Sequence, residues 1–257
     1  MGKNLRIAVL LAILVAVAAN SWYDQHRAHQ WRGALSVGVF PLAGDDSPVT
    51  RAYLAGLTRA EFAPIEEFFS AEAKRYALSD TDPLRVTLER TPPRLPPPPP
   101  AAGGPLDAIW FSLKLRYYAW RFGVATDGPR PLIRMFVIYH DPTLSPRVPH
   151  SAGLAKGLIG VANVFAVAHM AGSNNVVITH ELLHTLGATD KYDPRNDAPR
   201  FPDGYGDPAQ QPRYPQQLAE IMAGRRALSP TSSEMPESLD ACLIGAWTAN
   251  EIQWTRH

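Results

Sequence analysis

Apolar residues recur along the chain with two different periods. Alternating apolar positions predict strands, and apolar positions three or four residues apart predict helices. Segments of the two kinds follow one another, which favours an α+β fold with a mixed sheet. The strand patterns cover residues 35–42, 84–88, 132–139 and 158–167, and the helical patterns cover 51–78, 106–122 and 248–254.

Two of the helical patterns carry specific expectations. Pro64 lies inside the first, so we expect a kink or two separate helices there, because proline cannot donate a backbone hydrogen bond and clashes with the preceding turn. The second is rich in aromatic residues, including Trp110, Tyr117 and Trp120. We expect these aromatic side chains to lie in the core rather than to form a ligand-binding surface.

The N-terminus has the layout of an export signal. Lys3 and Arg6 precede an uncharged apolar run over residues 7–19, and small residues lie near the end of that run. The run is shorter than the roughly 20 residues that span a bilayer comfortably. Residues 1–22 are therefore interpreted as a signal peptide or a membrane anchor, and either alternative places the remaining chain outside the cytoplasm, in the periplasm or secreted.

We interpret residues 23–33 as a tether and residues 34–257 as a single domain. Within that domain, seven of the nine residues from Pro92 to Pro100 are proline, which predicts a stiff polyproline II segment. A linker between two domains is the alternative. We favour a surface insertion over residues 91–105, because the elements before it are too small to bury a core of their own.

Charge and cysteine content narrow the class of protein. The chain has 25 Lys and Arg residues against 24 Asp and Glu residues, so nothing in the balance indicates nucleic-acid binding. Cys242 is the single cysteine, which excludes an intramolecular disulfide. We expect Cys242 to be a small core residue and the protein to be a monomer.

The candidate chemistry lies in residues 180–190, which read His-Glu-Leu-Leu-His-Thr-Leu-Gly-Ala-Thr-Asp. On a helix, His180 and His184 lie on one face and can offer two imidazole nitrogens to one metal ion. Glu181 lies beside that pair and can take a proton from a water that the metal activates. Two histidines with an open position suit a catalytic zinc, which needs a third protein ligand.

Gly187 explains how a third ligand can follow so closely. Glycine accepts the left-handed backbone conformation that ends a helix and turns the chain sharply, so Asp190 can return toward the same metal. The alternative is a buried amphipathic helix whose histidines make ordinary hydrogen bonds.

This pattern, HExxHxxGxxD, resembles the zinc-binding signature of the metzincin metallopeptidases, in the variant with aspartate as third ligand that the snapalysin-type proteases carry. Most metzincins have histidine where this chain has Asp190. The segment 219–224, with Met222 followed by small residues, is similar to the family's Met-turn. The resemblance is specific over residues 180–224 and does not reach the N-terminal third.

The resemblance implies a zinc-dependent endopeptidase that hydrolyses peptides or proteins. Its fold would be metzincin-like, with a mixed twisted sheet, backing and active-site helices, and an irregular lower lobe that contains the Met-turn. Zinc would be held by His180, His184 and Asp190, with Glu181 as general base and Met222 packed beneath the metal without binding it. Residues 160–168 would form the edge strand that pairs with substrate, and no substrate-binding side chain is assigned.

Several alternatives stay open. Glu220 could replace Asp190 as third ligand, although Gly187 favours Asp190. A tyrosine could stabilise the oxyanion, and further histidines could approach the metal. A non-catalytic, zinc-stabilised binding domain outside the cytoplasm is the alternative function, and a structural protein with an incidental motif would bind no zinc. The residues concerned are Tyr205 and Tyr214 for the oxyanion, His140, His150 and His169 for the metal, and Ser173 or Asn174 as cap of the active-site helix.

Overall fold

A five-stranded, mostly parallel sheet forms the centre of the protein. The computed structural model describes residues 2–100, 104–149, 151–154 and 157–255. The strand order is β2-β1-β3-β5-β4, and only β4 runs antiparallel to its neighbour. The strands are β1 (Leu35–Ala43), β2 (Leu84–Leu88), β3 (Ile133–His140), β4 (Ala152–Leu154) and β5 (Ile159–Phe165).

Helices cover both faces of this sheet, which gives the mixed α+β fold expected from the sequence. Pro64 lies in the first turn of α3, where proline is tolerated, and the chain forms two helices around it as predicted. The helices are α1 (Lys3–Ala28), α2 (Pro48–Gly56), α3 (Ala63–Arg75), α4 (Pro105–Phe122), α5 (Ala171–Thr185) and α6 (Ala246–Glu251), with 3₁₀ turns at Arg59–Phe62, Ala168–Met170, Ile221–Ala223 and Leu239–Ala241.

The central strands are apolar on both faces because both faces are covered. In β1, Phe40 and Leu42 belong to the core cluster that contains Leu115 and Tyr118 of α4. Val39, which points the other way, belongs to the larger cluster that includes α3 and α5. Burial on both sides explains why these strands read as continuous apolar runs.

The chain after α5 is built from turns and two-residue strands, in agreement with the irregular segment expected there. Cys242 lies in this part and is buried in the larger core cluster, as predicted. The short strands are β6 (Tyr192–Asp193) paired with β7 (Ala198–Pro199), β8 (Ala219–Glu220) paired with β11 (Cys242–Leu243), and β9 (Arg226–Ala227) paired with β10 (Ser233–Glu234).

The expectation of an edge strand over residues 160–168 is wrong. β5 lies between β3 and β4, so the short strand β4 is the edge of the sheet on this side. Gly160 instead marks a close approach, because a Cβ atom there would lie 2.5 Å from the Sδ atom of Met135.

The expectation that the aromatic residues of α4 lie in the core is wrong for half of the helix. Tyr118 is buried, but Trp110, Tyr117 and Trp120 are 60%, 66% and 61% exposed. The helix has apolar residues on two opposite sides, and only one side faces the sheet. Apolar content alone could not identify which side that is.

The segment expected to be a tether continues α1 and then packs onto the domain. Ala28 and Trp31 are buried in the larger core cluster. The Trp31 indole nitrogen donates to the carbonyl of Ile252 at 2.7 Å. Among the described residues, no helix is long and apolar enough to cross a membrane.

The proline-rich segment lies against α4. The hydroxyl of Tyr118 donates to the carbonyl of Arg94 at 2.6 Å, and residues 97–100 form a shallow surface depression together with Trp110 and Phe111. The described part of the expected insertion therefore packs on the same domain, and residues 101–103 lie outside the described residues.

Candidate metal centre

The helix α5 carries two histidines one turn apart. The imidazole rings of His180 and His184 lie 4.7 Å apart between centroids. The helix begins at Ala171, and the expected cap at Ser173 or Asn174 is wrong. Neither side chain accepts from the free amides at the start of the helix. The Ser173 hydroxyl donates to Met170 O, and the Asn174 amide bonds the backbone of β5.

The chain turns sharply at the end of α5, as predicted from Gly187. Gly187 has a φ of 97°, which is the left-handed region. The amide of Ala188 donates to the carbonyl of Leu183 at 3.1 Å, and the amide of Gly187 donates to that of His184 at 3.1 Å. This closure satisfies the last carbonyls of the helix and sends the chain back toward the histidines.

Asp190 arrives beside both histidines. Its Oδ1 atom lies 3.1 Å from the Nε2 atom of His180 and 3.1 Å from that of His184. The two Nε2 atoms are 3.0 Å apart. Tetrahedral zinc with ligands at its usual bond lengths separates its donor atoms by about 3.3 Å. The three atoms therefore already have nearly the spacing that one small cation requires.

Backbone carbonyls fix the orientation of both rings. The Nδ1 atom of His180 donates to Ile221 O at 3.0 Å, and that of His184 donates to Ala188 O at 2.8 Å. Since a carbonyl only accepts, each neutral ring carries its proton on Nδ1 and turns the lone pair of Nε2 toward Asp190. Three atoms with lone pairs then lie about 3 Å apart, and a proton or a metal ion must offset their mutual repulsion.

Glu181 lies next to the triangle formed by Asp190 Oδ1 and the Nε2 atoms of His180 and His184. It is buried, at 7% exposure. Its Oε2 atom has no hydrogen-bond partner among the residues described. Burial raises the pKa of this carboxyl, although the two histidines oppose the shift. The ligand atoms of His180, Glu181 and His184 lie within 4.8 Å of one another, and this group could hold a metal ion.

The charged groups around the triangle shift one another's pKa values. Burial alone would raise the pKa of Asp190, but its contacts with His180 and His184 hold it well below its usual range. Burial alone would lower the pKa of His184, but Asp190 and Glu181 raise it above the ordinary value of 6.5. Asp190 is therefore a carboxylate at any physiological pH and is available as a ligand.

The two remaining candidates for this centre, Met222 and Glu220, lie in the 3₁₀ turn Ile221–Ala223 and directly before it. Met222 is completely buried there, and the turn ends at Gly224, whose φ is 66°. The neighbouring carbonyl of Ile221 is the group that bonds His180, so the turn lies directly against the histidine pair.

Glu220 is occupied elsewhere. Its Oε1 atom accepts from the amide of Gly245 at 3.1 Å and from the hydroxyl of Thr248 at 2.7 Å, while Oε2 accepts from the amide of Ala223 at 3.0 Å. These donors tie the turn to α6. Asp190, and not Glu220, is the carboxylate that lies beside the histidines.

A carboxylate of α6 holds the loop that carries Asp190. Glu251 accepts from the amide of Thr189 at 3.0 Å, from its hydroxyl at 2.6 Å and from the ammonium of Lys191 at 2.8 Å. The side chain of Lys191 is only 5% exposed. The sequence contained no local signal for this contact, because 62 residues separate Thr189 from Glu251.

Tyr192 is a further group at the centre that sequence reasoning missed. Its ring lies 6.4 Å from that of His180. Burial and the negative charges of Asp190 and Glu181 raise the pKa of its hydroxyl to about 12. Its position two residues after the aspartate was the available signal.

The tyrosines that were considered for the oxyanion bond each other. The hydroxyls of Tyr205 and Tyr214 are 2.6 Å apart. Among the other histidines, the ring of His140 bonds the Asn163 side chain at 2.8 Å, and His169 is exposed in a 3₁₀ turn. His150 lies outside the described residues.

The edge strand β4 packs against the metal-bearing turn of α5. A Cβ atom at Gly153 would collide with the Cβ atom of His184 and would lie 3.0 Å from the carbonyl oxygen of Glu181. Only glycine permits this approach. The free edge of β4 therefore runs past the candidate centre.

No protein-family model matches the chain, and no curated protein sequence matches it. The chemistry of the centre is therefore inferred from its residues and their geometry.

Proposed function

We propose that this protein is a zinc-dependent endopeptidase with a metzincin-like fold. The observation that carries the proposal is the convergence of three lone-pair donors, from His180, His184 and Asp190. They lie beside the buried carboxylate of Glu181, whose Oε2 atom has no hydrogen-bond partner in the described part of the chain. A purely structural pair of histidines needs neither the aspartate nor a buried glutamate at that position.

The donor set favours zinc among the common metals. Two imidazoles and one carboxylate suit a borderline cation that accepts tetrahedral geometry, whereas calcium and magnesium prefer six or more oxygen ligands. Three protein ligands leave one position for water or substrate. Bound zinc would polarise the scissile carbonyl and make a nearby water acidic enough to attack near neutral pH.

Glu181 would move the proton. Its Oε2 atom is free of other partners among the described residues, and its raised pKa brings it closer to the range in which a carboxylate can accept a proton and release it again. It takes a proton from the attacking water and delivers it to the leaving amine. Tyr192, whose hydroxyl stays protonated, would donate a hydrogen bond to the oxygen on which negative charge develops.

The substrate would be an extended peptide. The edge of β4 offers backbone amides and carbonyls beside the centre, and an extended peptide can add to such an edge as a further strand. Met222 would support the histidine pair from below through the turn that bonds His180. As expected from the N-terminal sequence, we place the enzyme outside the cytoplasm, as a monomer.

The experiment compares the full chain with its Glu181→Gln and Glu181→Ala variants. Cleavage of an unfolded protein is followed together with zinc content, and Glu67→Gln, which replaces an exposed glutamate, is the matched control. Activity in the parent and the control, lost in both Glu181 variants and on chelation, supports the proposal.

Three outcomes contradict it. Equal activity in the parent and the Glu181 variants would exclude the mechanism. An inactive parent that holds one zinc ion would favour the zinc-stabilised binding domain, and an inactive parent without zinc would favour a structural role for the motif.

A further inference from the structure

The helix α4 has two apolar sides. One side, with Leu115, Tyr118 and Ala119, is buried against the sheet. On the opposite side, large apolar residues recur every three or four positions over the whole helix. This exposed stripe consists of Leu106, Ile109, Trp110, Leu113, Tyr117 and Trp120, which are between 46% and 80% exposed.

Such a stripe is unusual on a helix that already packs on a core. A surface helix of a globular protein carries polar residues on its outer side. Here the 18 residues of α4 span about 27 Å, and the outer side shows six large apolar side chains over that length. Helices that are apolar all round are buried on every side, so the exposed stripe indicates a second partner.

The N-terminal helix meets α4 at one point. The guanidinium of Arg116 donates to the hydroxyl of Ser21 at 2.7 Å, which joins α1 to α4 there. The chain has no acidic residue before Asp24. Apolar and aromatic side chains of α1 are also exposed, by 44% to 67%, namely Leu5, Ile7, Val15, Val17, Trp22 and Tyr23.

The flank of the stripe is basic. Lys114 and Arg121 lie on α4, and the Lys114 ammonium is 5.3 Å from the centre of the Trp110 ring. The one acidic residue of the helix, Asp107, accepts from the amide of Gly104 at 3.0 Å and caps the helix. Tryptophan and tyrosine beside lysine and arginine match the chemistry of an anionic membrane surface.

We propose that the stripe of α4 is a membrane-contacting face that lies in the headgroup layer of an anionic bilayer. The apolar side chains enter the boundary of the acyl chains, while Lys114 and Arg121 contact the headgroups. Insertion of this kind lies parallel to the membrane surface and does not require a helix that crosses the bilayer. The proposal does not depend on the peptidase activity.

A second copy of the chain fits this face less well. In an antiparallel twofold contact through the stripe, the basic flanks of the two copies would lie on the same side and repel each other. The stripe of α4 alone offers roughly 300 Å², from a length of about 27 Å and a helix width of about 10 Å, against about 800 Å² per partner in stable interfaces. A lipid surface has neither the charge conflict nor this size requirement.

The test is sedimentation of the full chain with vesicles. One preparation is a mixture of phosphatidylcholine with the anionic lipid phosphatidylglycerol, whose negative surface attracts basic residues, and the other is phosphatidylcholine alone. We expect binding to the anionic vesicles that weakens in high salt. The Trp110→Ser/Trp120→Ser double variant should bind roughly tenfold less tightly, whereas Trp247→Ser, which removes an exposed tryptophan of α6, should bind like the parent.

A second measurement separates α4 from α1. Tyr117→Cys is labelled with an environment-sensitive dye while the buried Cys242 stays unmodified, and the dye should shift to the blue on binding vesicles. An unshifted dye, or a double variant that binds as tightly as the parent, would overturn the proposal. Absence of binding together with a dimer that the double variant dissolves would assign the face to self-association and also overturn it.

Discussion

The contact between Glu251 and the Asp190 loop gives a prediction that can be worked out from the structure. The Glu251→Ala change removes the acceptor of the Thr189 amide, of the Thr189 hydroxyl and of the Lys191 ammonium. The side chain of Lys191 is 5% exposed and would lose the carboxylate that balances its charge. The change therefore acts on a nearly buried ion pair rather than on a surface one.

Breaking a buried ion pair from one side costs about 3–5 kcal/mol. The Glu251 side chain is 17% exposed, so water compensates part of the loss. We expect the free energy of unfolding of the metal-free protein to fall by about 2–3 kcal/mol. Zinc affinity should fall by about 10–100-fold, because the released loop carries a proposed ligand, Asp190.

The pH dependence of this effect has a definite sign. Burial alone would raise the pKa of Glu251, but Lys191 and Thr189 bring it below the ordinary value of 4.5. A carboxyl whose pKa is depressed in the folded state stabilises it above the unfolded value and loses that contribution as the pH falls through the folded value. The difference between parent and variant should therefore shrink below pH 4.5.

The assay is urea unfolding of the metal-free protein at neutral pH, with zinc affinity measured by competition against a chelating dye. Asn250→Ala, at the exposed neighbouring position of α6, is the matched control. If Glu251→Ala unfolds within about 0.5 kcal/mol of that control and binds zinc equally well, the loop is not held by this carboxylate.

Three further predictions concern single groups. Tyr192→Phe should lower kcat about 100-fold or more, as measured by steady-state kinetics, because the hydrogen bond to the developing oxyanion is lost. Zinc affinity, measured by dye competition, should fall much less than kcat, because the three proposed ligands remain. The pKa of His184 is raised, so protons compete with zinc for this ring up to a higher pH. In thermal scans at about pH 6 and about pH 8, zinc should therefore raise Tm more at the higher pH. In the metal-free protein, the pH dependence of stability has the opposite sign. Protonated His184 stabilises the fold below pH 6.5, and this contribution is lost as the pH rises through the raised pKa of the ring. Burial raises the pKa of the Cys242 thiol to about 12, so iodoacetamide should modify it slowly in the native protein and rapidly in denaturant, as followed by mass spectrometry.

The parts of the site that sequence predicted are those set by local geometry. Two histidines four residues apart share a helix face whatever the surrounding fold is, and Gly187 adopts the left-handed conformation that a sharp helix end requires. Both features lie within 11 residues of sequence, from His180 to Asp190. The return of Asp190 to the histidines follows from them.

The features that were missed depend on which surfaces meet. The helix α4 is apolar on two sides, so its period predicts a helix but does not determine which side packs on the sheet. β4 has only three residues, and its place at the edge depends on pairing with β5, where Gly153 lies opposite Gly160. Apolar alternation predicted β5, but it can show neither a three-residue strand nor which strand such a segment pairs with.

The candidate centre depends both on local sequence and on contacts between segments that are distant in sequence. Its proposed ligands lie within one short segment, but the ring of His180 is oriented by the carbonyl of Ile221, 41 residues later, and the loop of Asp190 by Glu251. The turn that contains Ile221 is in turn tied to α6 through Glu220. A cation that joins the histidines to Asp190 would thus connect α5 to the C-terminal part of the fold. Its binding free energy would then stabilise that part of the protein as well as the centre itself.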